Sequence, residues 1–293
     1  MITAQSRTLS TLLFVTLSSF FFLGTQMSSK QTAVIKASKK TTANNVISSI
    51  AVNNKNPPNT NTASVNASLK APLPDFSHIY NTQEKKQQFF GYLIPIITSV
   101  NENVTHERDK IKTLQNTLNT TDTLSSDDES YLMLISKKYR VDASKGFNST
   151  FFTSLLNKVD KIPPSLVLAQ AANESAWGTS RFAIEGNNLF GQWCFSKGCG
   201  LVPEQRNDGA DHEVAKFDSI FDSVKSYVLN LNRHAEYNQL RSIRSEIRPT
   251  GTPVNGIKLA NGLEGYSERG LDYVNEIQSM IRFNNLSSLD KNA

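Results

Sequence analysis

The chain has 293 residues, 38% of them hydrophobic, which is enough for one sizeable domain with extensions or for two small domains. Its formal net charge of +5 and isoelectric point near 9.1 suit an anionic polymer such as a nucleic acid, an acidic membrane or a cell wall. No basic run is interleaved with aromatic residues, so nucleic-acid binding is not predicted.

The N-terminal segment is typical of an export signal. Arg7 precedes an apolar run from Leu9 to Gly24, an order that resembles a secretory signal peptide. The run, of about 16 residues, is short for a membrane span. No clear cleavage site follows, so an uncleaved membrane anchor stays open, whereas the lack of a following cysteine excludes a lipoprotein anchor. We predict a signal or anchor over residues 1–27 and an exported, periplasmic protein that meets the membrane through this segment alone.

Residues 28–80 have the composition of a disordered linker. They are rich in Asn, Thr, Ser, Lys and Ala and include the stretch NNKNPPNTNT, while apolar residues are sparse and show no periodicity. Such a segment cannot bury enough apolar surface to offset the entropy lost on folding. We therefore predict a flexible tether between the export signal and the folded part.

Helical patterns begin near Asn81. The sequence NTQE at Asn81 is a capping-box pattern, and apolar residues then recur at helical spacing to about Leu118. The stretch SDDE at Ser126 begins a second helix that runs to about Tyr139, and STFFTSLLNKV indicates a third. These patterns predict a helical extension over residues 81–150.

Further helices flank a small β region in the second half of the chain. Pro164 fits the first position of a fourth helix, and Asp208-Gly209 is a hairpin-turn signal before a short strand from His212 to Phe217. Helices resume at DSIFDSVKSYVLNLNRH and YNQLRSIRSEIR, and a loop over PTGTPVNGIKLANG precedes a closing helix in SERGLDYVNEIQSMIRF. The predicted fold class is mainly α with a small β-hairpin lobe, and a cleft between two lobes suits an extended polymer.

Glu174 is a single carboxylate at the end of a mostly apolar helix. Gly178 fits the C′ position of that helix, where a positive φ is common. The negative end of the helix dipole and the apolar neighbours both disfavour the ionised carboxylate and so raise its pKa. A general acid at neutral pH needs this property. The alternative is a local cap or salt bridge, which any helix end can carry.

The chain contains two cysteines, Cys194 and Cys199, in the stretch WCFSKGCG. In an exported protein a close, even pair indicates a disulfide. Zinc binding by both cysteines and His212 is the alternative, but the next histidine, His234, is too distant for the usual paired spacing. We therefore predict a disulfide and neither a metal nor a cofactor.

The stretch LAQAANESAWGTSRFAIEGNNLFGQW resembles the signature of the family 73 glycoside hydrolases, the bacterial glucosaminidase domain. The two segments that carry the resemblance are Glu174–Gly178 and Asn188–Gly191. The continuation Gln192–Cys194, together with GCGLVP, HEVAKF and YSERGLDYV, is similar to a narrower group, the Bax-type proteins of proteobacteria. The resemblance extends from about residue 81 to 286 and is strongest from 163 to 217.

The resemblance implies a lysozyme-like glucosaminidase domain over residues 151–286, preceded by the helical extension. It implies an endo-β-N-acetylglucosaminidase that cleaves the glycan strands of peptidoglycan, with Glu174 as the catalytic acid. Tyr273 falls where the family carries a cleft tyrosine in its closing helix, so it is counted with the catalytic candidates; its alternative is a core aromatic.

Three further residues of the motifs are candidates for substrate binding. We expect Asn188 to shape the loop beside the cleft. Phe190 fits either the core or the floor of the cleft, and Trp177 fits either the core, which we favour, or a platform for a sugar ring.

A second carboxylate is expected because most glycosidases use two, one on each side of the bond. The resemblance places it in the β lobe, which holds Glu204, Asp208, Asp211 and Glu213. Glu204 lies before the end of the lobe at about the spacing expected for the family's second carboxylate. Glu213 lies on the strand itself, where alternation puts its side chain on the other face of the strand from that of His212. We favour Glu213. If neither reaches the bond, the N-acetyl group of the substrate could act as nucleophile.

Two other functions stay open. A lytic transglycosylase uses one Glu and no water. This reaction suits a sequence that has one candidate acid and no clearly assigned second carboxylate. A catalytically silent wall-binding module is a different class, against which the intact Glu174 argues. Cleavage of peptide bonds is not supported, because the sequence has no cysteine–histidine or zinc constellation for it.

Overall fold

The computed structural model describes residues 69–204 and 212–292. The predicted signal or anchor, most of the predicted linker and the predicted turn at Asp208-Gly209 lie outside these residues. Within the described ranges, no helix has the length and apolar character that crossing a membrane requires.

The described part of the chain is mainly α, as predicted from the sequence. Its three short strands are β1 (Trp193–Cys194), β2 (Gly200–Leu201) and β3 (Glu213–Ala215). Its α-helices are α1 (Thr82–Thr121), α2 (Ser126–Tyr139), α3 (Ser149–Lys158), α4 (Pro164–Glu174), α5 (Arg181–Gly186), α6 (Ile220–Arg233), α7 (Asn238–Ile247), α8 (Gly256–Leu259) and α9 (Leu271–Phe283).

The helix starts follow local capping. The side chain of Asn81 accepts hydrogen bonds from the backbone amides of Gln83 and Glu84, at 2.9 and 3.0 Å, and so begins the 40-residue helix α1 at the predicted place. Ser125 caps α2 in the same way. These side-chain oxygens pair with amides that have no partner inside the helix, which fixes where each helix begins.

One hydrophobic cluster joins the N-terminal helices to the rest of the fold. Helix α1 packs against α4 and α6, and its buried residues belong to the same cluster as the buried residues of α9. The predicted helical extension therefore shares its core with the helices that follow, and α1 supports α4 by packing directly against it.

Part of the segment predicted as a linker is packed instead. Phe76 is 1% exposed, and its ring meets that of Phe89 edge to face at 5.5 Å. Two aromatic residues, Phe76 and Tyr80, in a polar, non-periodic segment give no pattern from which this anchor could be predicted. The linker prediction is therefore wrong at Phe76.

The β region is a three-stranded antiparallel sheet with the order β1–β3–β2. Strand β3 is the core of the strand predicted from His212 to Phe217, and it pairs with β1 as well as with β2. Gly200 is required in β2, because a Cβ atom there would lie 1.9 Å from the backbone oxygen of Val214. The sheet therefore has one more strand than the predicted hairpin.

The segment predicted as a loop over residues 249–262 contains helix α8 and the start of a 3-10 helix, Ala260–Tyr266. Gly256 lets α8 approach α4, since a Cβ atom there would lie 2.1 Å from Oγ of Ser165. Asp290 joins both helices by accepting from the amides of Ser165 and Gly256, each at 3.0 Å. The prediction was wrong because a four-residue helix held by distant contacts has no periodic pattern of its own.

Asp160 is a charged hub between α3 and α4. It is 4% exposed and accepts two hydrogen bonds from Arg248, while Arg244 and Arg108 approach it to 3.8 Å. Burial alone would raise the pKa of Asp160, but the surrounding guanidinium groups outweigh it and hold this pKa below its ordinary value. The ionised carboxylate therefore stabilises the fold by holding three cationic side chains together.

Replacing Asp160 with Asn should strongly destabilise the protein. The change leaves the buried guanidinium group of Arg244 without its counter-charge, which costs about 3–5 kcal/mol for a broken buried pair. Urea unfolding at pH 7 measures this loss. Because the folded-state pKa is lowered, the stabilisation is present above the unfolded-state value and disappears as pH falls through the folded-state pKa.

Asp109→Asn is the matched control, since Asp109 forms an exposed pair with Lys112 and should contribute little. If both variants unfold at the same urea concentration as the parent chain, the hub does not stabilise the fold.

Candidate active site

Glu174 is the last residue of α4, and a tight turn follows it. The next residue, Ser175, is the C-cap, so the helix ends earlier than expected from Gly178 as C′ residue. Ala176, Trp177 and Gly178 all have positive φ, at 50°, 61° and 78°. Left-handed conformations of this kind cost free energy at residues other than glycine and persist where the surroundings enforce them.

Two groups of contacts enforce this turn. Ser175 donates through Oγ to the carbonyl of Ala171 at 2.6 Å and accepts from the amide of Gly178 at 2.8 Å. Gly178 packs so closely on Phe76 that a Cβ atom would lie 2.8 Å from its ring. The turn therefore depends on the segment before α1. The turn itself fixes the backbone direction immediately after Glu174.

Trp177 packs against the core. Its ring meets Phe89 and Phe90 edge to face at 5.7 and 5.3 Å, and the ammonium group of Lys86 lies 5.1 Å from its centre. Of the two interpretations left open by the sequence, these contacts favour the packing role over the sugar platform.

Glu174 ends a chain of hydrogen bonds that passes through the core. The hydroxyl of Tyr273 on α9 donates to Oε1 of Glu174 at 2.7 Å. Nε2 of Gln170 donates to the hydroxyl oxygen of Tyr273 at 2.8 Å, and the hydroxyl of Tyr227 on α6 donates to Oε1 of Gln170. The structure therefore brings together Glu174 and Tyr273, which the sequence had placed 99 residues apart.

Aromatic rings surround this chain. Tyr266 stacks on Tyr273 with ring centres 5.3 Å apart, and Phe190 stacks on Tyr227 at 3.9 Å. The hydroxyl of Tyr266 donates to the carbonyl of Phe190 at 3.1 Å. Phe190 is 3% exposed, so it belongs to the core instead of forming an open floor of the cleft.

The surroundings of Glu174 favour its protonated form. Burial raises its pKa, hydrogen bonds from Tyr273 and Asn173 lower it, and the net shift is upward. Two charges also act on Glu174, with Glu276 raising the pKa and Arg269 lowering it. These two form a partly exposed ion pair at 2.7 Å. The carboxyl group thus keeps its proton to a higher pH than an ordinary Glu.

Asn188 holds the loop before β1. Its amide donates to the carbonyls of Gln192 and Ala215, both at 2.9 Å, and its oxygen accepts from the amides of Phe190 and Gln192. Both of its N–H groups are therefore used inside the protein. This is the loop-shaping role expected for Asn188, and it leaves no spare donor for a substrate hydroxyl.

The disulfide predicted between Cys194 and Cys199 is confirmed. Both sulfur atoms are used in this bond, so the zinc alternative with His212 does not fit, since a zinc ligand is a thiolate. His212 instead stacks on Trp193, with ring centres 4.1 Å apart.

Glu213, the favoured second carboxylate, faces the disulfide loop. It is 5% exposed, and its two oxygens accept from the amides of Gly198 and Gly200 at 2.9 and 2.8 Å. A buried carboxylate that satisfies two backbone amides holds the loop in shape. The geometry therefore gives Glu213 a structural role that the sequence did not predict.

Glu204 lies at the surface of the lobe. Its side chain is 81% exposed and pairs with Arg181 at 2.9 Å. Asp208 and Asp211 lie outside the described residues. In the structure, Glu204 thus contacts α5 and Glu213 contacts the lobe. These contacts do not bring either carboxylate to Glu174.

Sequence reasoning missed several neighbours of Glu174. Gln170 precedes Glu174 by one helical turn and is a buried polar residue on a mostly apolar helix, which was a usable signal. Tyr227 recurs at helical spacing with the apolar residues of DSIFDSVKSYVLNLNRH, and that spacing indicates only a position on the core face of the helix. Nothing in the sequence pattern indicates that Glu276 and Arg269 interact with Glu174, because their position depends on how α9 packs.

Comparison with known proteins agrees with the family resemblance of the sequence motifs. The glucosaminidase family model, described as mannosyl-glycoprotein endo-beta-N-acetylglucosaminidase, matches residues 151–286. Protein bax of Escherichia coli (strain K12) is 33% identical over 219 residues, which cover 75% of this chain and 77% of that protein. No solved structure matches the chain. The chain therefore belongs to the glucosaminidase family of glycosidases, with Protein bax among its relatives.

Proposed function

We propose that this protein is a peptidoglycan hydrolase, an endo-β-N-acetylglucosaminidase that cleaves β-1,4 glycosidic bonds of the cell-wall glycan with Glu174 as general acid. The observation that carries the proposal is the Glu174 carboxyl group, which sits at the end of an apolar helix, has a raised pKa and accepts a hydrogen bond from Tyr273. Membership of a glycosidase family supports the reaction class.

The chemistry follows from the two states of this carboxyl group. The protonated form donates its proton to the glycosidic oxygen as the bond to the sugar breaks. The carboxylate that remains is then stabilised by the Tyr273 hydroxyl. The raised pKa keeps the acid protonated to a higher pH than in an ordinary Glu, and the hydrogen bond limits the cost of the charge that develops.

The second catalytic group distinguishes the hydrolase from its main alternative. A hydrolase needs a base or nucleophile in addition to the acid. Both oxygens of Glu213 are engaged by loop amides, and this observation favours a lytic transglycosylase as the second candidate, since that reaction uses one carboxyl group and no water. A silent wall-binding module is the third candidate and predicts no new glycan ends.

Digestion of purified peptidoglycan with the protein, followed by mass spectrometry of the new ends, separates these functions. The proposed hydrolase produces reducing N-acetylglucosamine ends. Anhydro-muramic ends would instead identify a lytic transglycosylase, and unchanged glycan would leave only the binding module.

We also propose that the protein is exported to the periplasm through residues 1–27, which act as a cleaved signal or as an inner-membrane anchor. The disulfide Cys194–Cys199 supports an oxidising compartment. Cell fractionation tests this proposal, and recovery of the chain with reduced cysteines in the cytoplasm would contradict it.

Glu174→Gln should abolish wall lysis while the fold is kept. Gln preserves the shape of the side chain but cannot donate the proton, and loss of a general acid lowers the rate by about 10²–10⁴-fold. Turnover on purified peptidoglycan measures the effect. Glu129→Gln on the exposed face of α2 is the matched control and should lyse normally. Lysis by the Glu174 variant at the parent rate would remove this residue from the mechanism.

The same Glu174→Gln change should stabilise the protein at neutral pH. The folded-state pKa of Glu174 is raised, so the favourable contribution of this group is present below the unfolded-state value and is lost as pH rises through the folded-state pKa. Gln cannot ionise and escapes this loss. We expect the melting temperature to rise on the order of a few °C at pH 8 and to match the parent chain below about pH 4.

Calorimetry at both pH values, with Glu129→Gln as control, makes this measurement. A Glu174 variant that melts below the parent chain at pH 8 would show that the ionised carboxylate is stabilised in the fold, contrary to the proposed acid.

Glu213→Gln should act on the lobe and not on the chemical step. An amide can accept from one of the Gly198 and Gly200 amides but presents N–H to the other, which leaves a buried donor unpaired at a cost of about 1–3 kcal/mol. A loosened lobe should raise KM more than it lowers kcat. Steady-state kinetics would instead return a large loss of kcat with unchanged KM if Glu213 is the base or nucleophile. Glu185→Gln, an exposed change on α5, is the control.

A further inference from the structure

The hydrogen-bond chain behind Glu174 has a fixed direction. The hydroxyl of Tyr227 donates to Gln170, Gln170 donates to the hydroxyl oxygen of Tyr273, and Tyr273 donates to Glu174. Every donor therefore points toward the carboxyl group. Gln170, Tyr227 and Tyr273 are 0%, 1% and 2% exposed, so solvent offers them little alternative bonding.

The opposite direction is disfavoured at Tyr227. If the amide of Gln170 turned over, its Nε2 would donate to Tyr227 and its oxygen would accept from Tyr273. The proton of Tyr227 would then need a different acceptor in a buried site, and an unpaired buried donor is costly. Burial also raises the pKa of Tyr227 well above its ordinary value, so this hydroxyl keeps its proton at working pH.

The direction matters because Glu174 changes charge. An ionised carboxylate only accepts hydrogen bonds, and with the amide of Gln170 turned over the Tyr273 proton would point away from it. The observed direction keeps a donor on Oε1 of Glu174 in both protonation states. We propose that Gln170 and Tyr227 are positioning residues that hold the Tyr273 hydroxyl as a donor to Glu174, so that the carboxylate is stabilised as its proton leaves.

This inference rests on the proposed function, since it concerns the same carboxyl group. In the proposed hydrolysis the proton of Glu174 moves to the glycosidic oxygen, which keeps the electron pair of the broken bond. Water then adds its oxygen to the anomeric carbon and gives up a proton, which restores the protonated form of Glu174. The proton of Tyr273 stays on Tyr273. Gln170 and Tyr227 are buried behind the reacting group and do not contact the glycan.

Other ionisable groups also act on Glu174, and the two charged ones are unchanged in every variant of the test. Those that interact with it electrostatically are Tyr227, Tyr237, Tyr266, Tyr273, Arg269 and Glu276. The tyrosines are neutral over the pH range in which Glu174 titrates, because burial raises the pKa of each. Arg269 and Glu276 form an ion pair with each other and are unchanged in the variants.

The test measures Glu174 directly. Glutamate labelled with ¹³C at its carboxyl carbon is incorporated into the full chain, and the Glu174 signal is identified by its loss in Glu174→Gln. Tyr227→Phe frees the amide of Gln170 to turn over, so Tyr273 stops being held as a donor. We expect the titration of Glu174 to move to higher pH, since its charged form loses a hydrogen bond. Tyr273→Phe, which removes the donor itself, should move it at least as far.

A double variant guards against a fold defect. Tyr227→Phe combined with Gln170→Met replaces both partners with apolar groups of similar size, which is tolerated better than leaving one unpaired. Without Gln170 the Tyr273 hydroxyl has Glu174 as its acceptor, so the double variant should return the Glu174 titration toward its parent position. Tyr237→Phe is the matched control, because Tyr237 is a buried tyrosine of the same core whose side chain is not part of the chain that ends at Glu174. A titration of Glu174 that is unchanged in Tyr227→Phe, or that is shifted equally in Tyr227→Phe and in the double variant, would overturn the proposal.

Kinetics then separates this inference from the proposed function. If both hold, Tyr227→Phe lowers kcat by about 10-fold, leaves KM unchanged and moves the alkaline limb of the pH–activity profile to higher pH, as expected from loss of a hydrogen bond to a charged group. A shifted Glu174 titration with unchanged kcat would confirm the positioning role and reject Glu174 as the acid. An unchanged titration with activity still lost in Glu174→Gln would reject the positioning role and keep the acid.

Discussion

The chemistry of the site depends on the balance between burial and hydrogen bonding at one carboxyl group. Burial of Glu174 at the end of α4 disfavours its charge, while the Tyr273 hydroxyl, 2.7 Å away, favours that charge. Burial without the hydrogen bond would hold the proton too tightly to release it, and the hydrogen bond without burial would leave an ordinary acid that is ionised at neutral pH. Because the net shift is upward, the group suits an acid that gives up its proton only when a basic oxygen forms beside it.

This balance requires helices from distant parts of the chain to meet at fixed distances. Helix α1 supports α4 from behind, and α6 and α9 supply Tyr227 and Tyr273. The turn after Glu174 has left-handed residues that are not glycine, and Phe76 packs on that turn. The segment before α1 thus helps to hold the carboxyl group, although it lies far from it in sequence and outside the range that the family model matches.

The sequence predicts those features that local physical chemistry determines. The cap at Asn81, the start of α4 at Pro164 and the position of Glu174 at a helix end each depend on neighbouring residues, and each was predictable. The hydrogen-bond chain was not, because Gln170 meets partners 57 and 103 residues away. Phe76 and helix α8 were missed for the same reason, since their order comes from contacts with the core and not from a periodic pattern.

The β lobe shows why family motifs alone give an incomplete account of function. Alternation predicts that His212, just before β3, and Glu213, its first residue, lie on different faces, but it does not say what each face meets. Strands of two or three residues bury very little apolar surface, so the lobe is held by the disulfide and by a buried carboxylate on two amides. The side-chain amide of Asn188 links β3 to the loop before β1, because it donates one hydrogen bond to each of them. Motif residues that look chemical in the sequence therefore maintain the shape of the lobe, and the proposed chemistry falls to Glu174 and the hydroxyl that faces it.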